Sequence, residues 1–399
     1  MNWWLASFAA MFWQAQSPPS PEIILFNQIQ ARVAENLSRL PNYTCSQTIE
    51  RFKRSKPGAR VETVDTIRLE VAYVGGRQLF GWPGSNKIDE PDINKFIGRG
   101  TSGNGDFAIF PRNLFLRRGA KFYYGGRTEL DGKPAFRFNY RVPQSVETYQ
   151  LQTSWGQALV GYEGSFWVDA VTLDLMRLTS AADDIPAKLR LKSTITVLDY
   201  GRVAVGRSTF LLPKGSELTM VESDGVEYRN RNTFSSCHQF TGESVIKFDE
   251  PAPEPTANVP ATQTILPDEF TVEIELDSPI DSASAAVGDP IQATVKQNVK
   301  SNGGIVIPKG ATLAGNLVLL ARRGNSYFVD LRFTSLEIEG HTISLSGREN
   351  RVDSVRVRNG RPLPMFTGPM FYATDHVKLP RGRVFQFRSR KQRQTEPGC

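Results

Sequence analysis

Over residues 135–142 apolar and polar side chains alternate. Phe136, Phe138, Tyr140 and Val142 point one way, and Arg137, Asn139 and Arg141 the other. A period of two belongs to a strand with one buried face. Strand patterns recur over 43–52, over 66–73 (Ile67, Leu69 and Val71), and over 121–124 before a Gly-Gly turn. They continue over 164–169 and 173–179 as a hairpin, then 189–200, 203–212, 217–222 and 226–240. One segment has the helical period instead. Between residues 21 and 40, Ile23, Phe26, Val33, Leu37 and Leu40 share a stripe, with Gln30 as its polar exception. Pro21 suits the first turn of that helix and Pro41-Asn42 ends it. One helix followed by many antiparallel strands predicts a mainly-β fold, a curved half-barrel sheet with the helix packed on it.

The pattern pauses between 249 and 268, where Pro251, Pro253, Pro255, Pro260 and Pro267 mark a semi-rigid linker. Alternation then resumes with Phe270, Val272, Ile274 and Leu276 on one face. Strands are expected over 291–299, 304–307 and 312–321, with a sharp turn at Pro308-Lys309-Gly310. A hairpin over 327–338 and 341–346 turns at Glu339-Gly340. With no helical period there, the second unit reads as a small β-barrel or sandwich. The expected division is a signal peptide at 1–15, a half-barrel domain at 21–248, the linker at 249–268, a small all-β domain at 269–379, and a basic tail at 380–399.

Composition adds compartment and charge. The run from Met1 to Trp13 is apolar and too short to span a bilayer, so it reads as the core of a secretory signal cleaved after Ala15. No Lys or Arg precedes it, and a buried N-terminal segment is the alternative. Cys45 and Cys237 lie near the two ends of the first domain, so a disulfide fits an exported protein; two buried thiols are the alternative. The net charge is +7. Lys378, Arg381, Arg383, Arg388, Arg390, Lys391 and Arg393 against Glu396 put +6 of it on the last segment. Such a segment is either a solvated terminus or a contact for an anionic membrane surface or an envelope protein.

Catalytic signatures are not found. The three histidines, His238, His341 and His376, have no ligands at metal spacing, so neither metal nor cofactor is expected. Cys237-His238 lacks an orienting partner for thiol catalysis. Asp183-Asp184 stands beside a proline, as solvated turn residues do. The stretch 98–105 is Gly-rich but lacks the Gly-Lys-Ser/Thr ending of a phosphate loop. Export and the near-neutral remainder argue against nucleic acid, although Phe385 and Phe387 interleave the basic residues.

Several stretches of residues 21–248 carry a resemblance. They are Leu40-Pro-Asn-Tyr-Thr-Cys45 after the helix, Gly164-Ser-Phe-Trp-Val-Asp169 before Leu173, Leu175, Arg177 and Leu178, and Phe210-Leu-Leu-Pro213. This region resembles the periplasmic lipoprotein-carrier and lipoprotein-sorting superfamily. The resemblance implies an incomplete antiparallel β-barrel holding a helix, with an apolar cavity for acyl chains. The insert over 75–120 departs from the simple carriers. Over 269–347, Leu276-Asp-Ser-Pro-Ile280, Val287-Gly-Asp289, Ile305–Gly310 and Gly315 are similar to a small envelope β-domain, including that of outer-membrane pore components of type IV secretion. That similarity implies an assembly module.

Two functions follow. In the first, a non-enzymatic envelope protein binds a lipid or other hydrophobic ligand in the half-barrel, through Phe136, Phe138, Tyr140 and Phe166. The alternative reading of these side chains is plain core. In the second, the protein is a structural or interaction module docking through the C-terminal β-domain and its basic tail.

Overall fold

The computed structural model describes residues 20–85, 88–97, 109–146, 149–240, 266–301, 304–354, 357–358, 361–362 and 369–391. The expected signal segment, the Gly-rich stretch 98–105, most of the linker, Arg393 and Cys399 lie outside these residues. Helix α1 (Pro21–Ser38) leads into β1 (Tyr43–Arg54), β2 (Val61–Val74) and β3 (Arg77–Gly81). A short helix, α2 (Ile109–Leu116), follows. Then come β4 (Lys121–Leu130), β5 (Lys133–Val142), β6 (Tyr149–Thr153), β7 (Gly156–Asp169), β8 (Leu175–Asp183), β9 (Leu191–Val205), β10 (Ser208–Glu222) and β11 (Glu227–Gln239).

These strands form one 11-stranded sheet in the order β3-β2-β1-β11-β10-β9-β8-β7-β5-β4, with β6 paired to β7. The sheet curls but stays open, because among the described residues its end strands β3 and β4 do not pair with each other. The first and last of its long strands, β1 and β11, lie side by side, and Cys45 and Cys237 are joined by a disulfide across them. Their register shifts between Thr44 and Ser46, where Ser236 has φ of 50°. Several strands run longer than the alternation predicts, β2 and β7 among them. Residues 191–205 and 208–222 are single strands, with Pro213 accommodated at a bulge before Gly215. Gly125-Gly126, expected as a turn, is a bulge inside β4, with Gly126 at φ 99°.

The second unit begins with β12 (Glu269–Leu276), β13 (Ile280–Asp281), β14 (Pro290–Val295), β15 (Val299–Ser301), β16 (Gly304–Ile307), β17 (Thr312–Arg323) and β18 (Ser326–Ile338). It continues with β19 (His341–Ser344), β20 (Arg348–Ser354), β21 (Val357–Arg358), β22 (Arg361–Pro362), β23 (Met370–Tyr372), β24 (Lys378–Leu379) and β25 (Val384–Lys391). Its main sheet has the order β19-β18-β17-β14-β12-β25-β20, with β23 on β18, while β13 with β24, β15 with β16 and β21 with β22 form separate two-stranded ladders. Asn350 of β20 donates to the Phe333 carbonyl of β18 at 3.2 Å, so the sheet curls until its far strands meet. Phe333, Phe385 and Phe387 fill the interior. Here the structure corrects the expectation for the C-terminus. Residues 384–391 are not a tail beyond this unit but a strand between β12 and β20. The alternation of Phe385 and Phe387 with Gln386 and Arg388 is that of a strand with one buried face.

The two sheets share one apolar core, which runs from Ile49, Ile67, Leu69 and Val71 to Val272, Leu313, Phe333 and Phe387. Only the second half of β2 is covered by β3, which leaves residues 61–69 as a half-edge. Val287 docks there as a parallel bridge to Ile67. The Arg68 N–H donates to the Val287 carbonyl at 2.7 Å, and the Val287 N–H to the Thr66 carbonyl at 2.8 Å. The Arg68 guanidinium holds both carboxylate oxygens of Asp289, at 2.6 and 2.8 Å.

Polar side chains are also buried on the inner face of the first sheet. Gln47 donates to Asn232 at 3.0 Å, and Asn232 to Ser216 at 3.0 Å, so a hydrogen-bonded row crosses β1, β11 and β10. Arg51 and Asp65 form a buried bidentate pair beside it. These bonds offset most of the cost of burying such groups, with Gln47 Oε1 the acceptor of the row that has no partner among the described residues.

Candidate functional site

The concave face over β4, β5, β7, β8 and β9 is the candidate site. Strand alternation sends Phe136, Phe138 and Tyr140 of β5 and Phe166 of β7 inward, and all four are buried in one cluster. Phe138 and Phe166 are cross-strand partners with rings stacked 5.3 Å apart. The Tyr140 hydroxyl donates to the Thr179 carbonyl at 2.7 Å, and burial pushes its pKa well above the ordinary phenol value. The Arg127 guanidinium lies over the Phe136 ring at 5.1 Å. The structure therefore brings the four expected residues together, as one aromatic layer.

Two helices cover that layer. From α1, Phe26 meets Phe122 at 4.4 Å and Phe138 at 5.8 Å, while Ile29 and Val33 are fully buried. Burying each of those two aliphatic side chains contributes about 1.5–3 kcal/mol. Ile23, expected on the buried stripe, is instead 52% exposed, since the first turn of α1 overhangs the sheet. Gln30, the polar exception, donates to the Phe115 carbonyl at 2.6 Å and thereby joins α1 to α2. From α2, Phe110, Leu114 and Phe115 are buried in the same layer, with Phe115 edge-on to Phe166 at 4.9 Å. Sequence reasoning missed α2. Its signal is the spacing of Phe110, Leu114 and Phe115, which puts three large apolar groups on one helical face.

A polar hub fixes α1. Asp174, in the turn before β8, accepts from Arg32 Nε at 3.0 Å and Asn36 Nδ2 at 3.1 Å on the helix. It also accepts from Arg202 of β9 at 2.6 to 2.9 Å. Burial pushes the Asp174 carboxyl up, but the hydrogen bonds and charge of Arg202, with Asn36 and Arg32, outweigh it and hold the pKa below the ordinary value. None of these residues was singled out from the sequence.

Beside the hub, under the second half of α1, lies a cavity of about 30 Å³ lined by Val33, Leu37, Leu175, Tyr200, Leu211 and Pro213. It could hold a water or two and is far below the roughly 300–1,000 Å³ of small-molecule sites. In this state the helices and aromatics fill the half-barrel.

The remaining candidates do not assemble chemistry. Cys237 is taken up by the disulfide, and His238 is held by Thr44 Oγ1 at 2.8 Å and the Ser236 carbonyl at 3.0 Å. Asp183 pairs with exposed Arg141 at 2.5 Å, and Asp184 is an exposed residue at φ 51°. Among the described residues no three His, Cys, Asp or Glu side chains are placed to hold a metal ion, and no helix is long and apolar enough to cross a membrane. Of the basic residues, Arg381 and Arg383 sit before β25, while Arg388, Arg390 and Lys391 sit on it. In register, Arg390 stands between Glu269 and Glu349.

No family model and no curated protein matches the chain. Among solved structures it is similar to a DUF1329 family protein from Desulfovibrio piger, at 14% identity over 56% of this chain and 96% of that one, with a TM-score of 0.31. It is also similar to a LolA superfamily protein from Nitrosomonas europaea, at 10% identity over 54% and 94%, with a TM-score of 0.30. A domain proposed as an outer membrane lipoprotein-sorting protein from Vibrio parahaemolyticus matches at 10% identity over 54% and 94%, with a TM-score of 0.31.

Proposed function

We propose that this is an exported, non-catalytic envelope protein that carries a lipid or other hydrophobic ligand against the concave aromatic face of its half-barrel. One observation carries the reading. The inner face formed by Phe136, Phe138, Tyr140 and Phe166 is closed by two helical segments rather than by strands. A strand cover is hydrogen-bonded along its length, whereas α1 and α2 are held by side chains and can part from the sheet with the sheet intact. Because the present cavity is only about 30 Å³, loading requires that parting. The disulfide and the apolar N-terminal run support an oxidising compartment outside the cytoplasm.

Native mass spectrometry of protein purified from the bacterial envelope, followed by organic extraction, tests the proposal. A stoichiometric lipid-sized adduct is expected. A bare mass, together with failure of an apolar dye to bind the purified protein, would transfer the function to an interaction role. The shared core joining the two sheets favours that second reading, because it makes the small β-unit an integral part of whatever the half-barrel docks to.

A further inference from the structure

The C-terminal segment is not the only strongly basic stretch. Residues 109–142, which comprise α2, β4 and β5, hold eight Arg and Lys against Glu129 and Asp131, again a net +6. The two stretches sit differently in the fold. On β25, Arg388 is half-buried and Arg390 has an acidic register partner on each side. On the α2–β4 edge, Arg118, Lys121 and Arg127 are all exposed, and none forms an ion pair among the described residues.

Exposed apolar groups stand among these charges. Leu116 is 46% exposed at the end of α2, and Tyr123 and Tyr124 are 55% and 39% exposed on β4. Strand β4 is an end strand of the sheet, paired among the described residues only with β5. A flat apolar edge would invite another strand. This one is interrupted by the bulge at Tyr124–Gly126 and carries Lys121 and Arg127, features that discourage strand addition. The edge therefore suits a partner that offers negative charge and an apolar layer but no strand. Tyrosines with one wet and one apolar end, interspersed with Arg and Lys, match the headgroup zone of an anionic bilayer.

We propose that the α2–β4 edge docks on an anionic membrane surface. Arg118, Lys121 and Arg127 meet the lipid phosphates, while Leu116, Tyr123 and Tyr124 settle into the interfacial zone. This surface is distinct from the basic C-terminal segment. It stands whether or not the half-barrel carries a ligand, and it would hold α2, one of the two covers of the aromatic layer, at the lipid.

Co-sedimentation of the full-length protein with vesicles tests this. One set is phosphatidylcholine alone and the other contains about one third phosphatidylglycerol, each at low and high salt. The protein is expected to bind the anionic vesicles, to be released by salt, and to bind phosphatidylcholine weakly. A triple Arg118→Glu, Lys121→Glu, Arg127→Glu variant, checked for folding by circular dichroism, should bind at least about 100-fold more weakly, at roughly five-fold for each basic charge lost. Tyr123→Ser with Tyr124→Ser should weaken binding several-fold and leave the preference for anionic lipid. Arg388→Glu with Arg390→Glu should bind as the unmodified protein does. Equal binding to both vesicle types, loss of binding in the β25 variant alone, or binding to acidic protein without binding to vesicles would overturn the proposal. A missing lipid adduct in mass spectrometry bears on the cavity and leaves this result unaffected.

Discussion

Arg202 grips Asp174 with two nitrogens, Nε at 2.9 Å and Nη2 at 2.6 Å from Oδ2, and that carboxylate in turn holds Arg32 and Asn36 of α1. Asp174 is only 14% exposed, so these charge-assisted bonds are shielded and stronger than surface pairs. The relationship fixes where α1 lies on the sheet. Replacing Asp174 with Asn removes the charge and should loosen α1 by about 1.5–3 kcal/mol. Hydrogen exchange over residues 21–38 should accelerate while exchange in β7–β9 stays slow. Unchanged protection of α1 would show that apolar packing alone seats the helix.

The same hub predicts a pH response. The folded-state pKa of Asp174 is lowered, so its stabilisation is complete above the unfolded value of about 4 and is lost as pH falls through the folded value. Asp281 behaves alike in the second unit. The Ala283 N–H, with His376 at 2.5 Å, draws its pKa to about 2. Asp330 and Asp353 have pKa values raised by burial, so protonation in acid relieves a cost there. Acid should therefore release α1 while the second sheet is partly compensated. Exchange of α1 should rise as the pH falls below about 4, and Asp174→Asn should flatten that rise.

Much of this architecture is written in the alternation. Phe136–Val142 and Phe270–Leu276 face inward as their period of two requires, because each strand has one dry and one wet side. Local signals fail where tertiary contacts overrule them. Gly201 and Pro213 look like punctuation, yet β9 and β10 run through them, since Pro213 lies at a bulge where β10 is paired with β9 alone and β11 joins only from Gly215. Helix α2 has eight residues and contains Pro111, too short and too poor a former to show against its Gly-rich approach. The Asp174 hub joins residues 138 to 142 positions apart, and no local pattern encodes such a pair.

The disulfide links strands that are adjacent in space but 192 residues apart in sequence. A covalent tie of that span restricts the unfolded chain, so Cys45→Ser with Cys237→Ser should cost about 2–5 kcal/mol. The loss should appear as a lower urea midpoint, and reduction of the unmodified protein should reproduce it. Non-reducing peptide mapping that found both thiols free in protein from an oxidising compartment would defeat the prediction.

Gly288 is the close point between the sheets. Its φ is 100°, and a Cβ there would fall 2.1 Å from the Arg68 carbonyl and 3.0 Å from the Trp82 ring. Neither backbone can give way without breaking the Val287 bridge. Gly288→Ala should cost about 2–4 kcal/mol and uncouple the two units, so that one calorimetric transition becomes two. A single transition at an unchanged temperature would mean that the shared apolar core alone joins them.

Cover and lining of the candidate site can be told apart by mutation. Leu114 belongs to the cover: it is buried on α2, outside the strands, and packs onto the aromatic layer. Phe138 belongs to the lining, stacked on Phe166. Leu114→Ala should weaken the seat of α2 by about 2 kcal/mol, at the low end for a buried leucine because a short helix can settle. If the open state is the binding state, its population rises roughly 30-fold, and the apparent affinity for an apolar dye rises with it. Phe138→Ala should cost the whole fold about 3–5 kcal/mol and lower dye affinity, because it removes surface the ligand would touch. A dye titration of both variants in parallel separates the possibilities. Opposite shifts identify a covered binding face. A loss of stability in both without dye uptake in either would make the aromatic layer a core and nothing more.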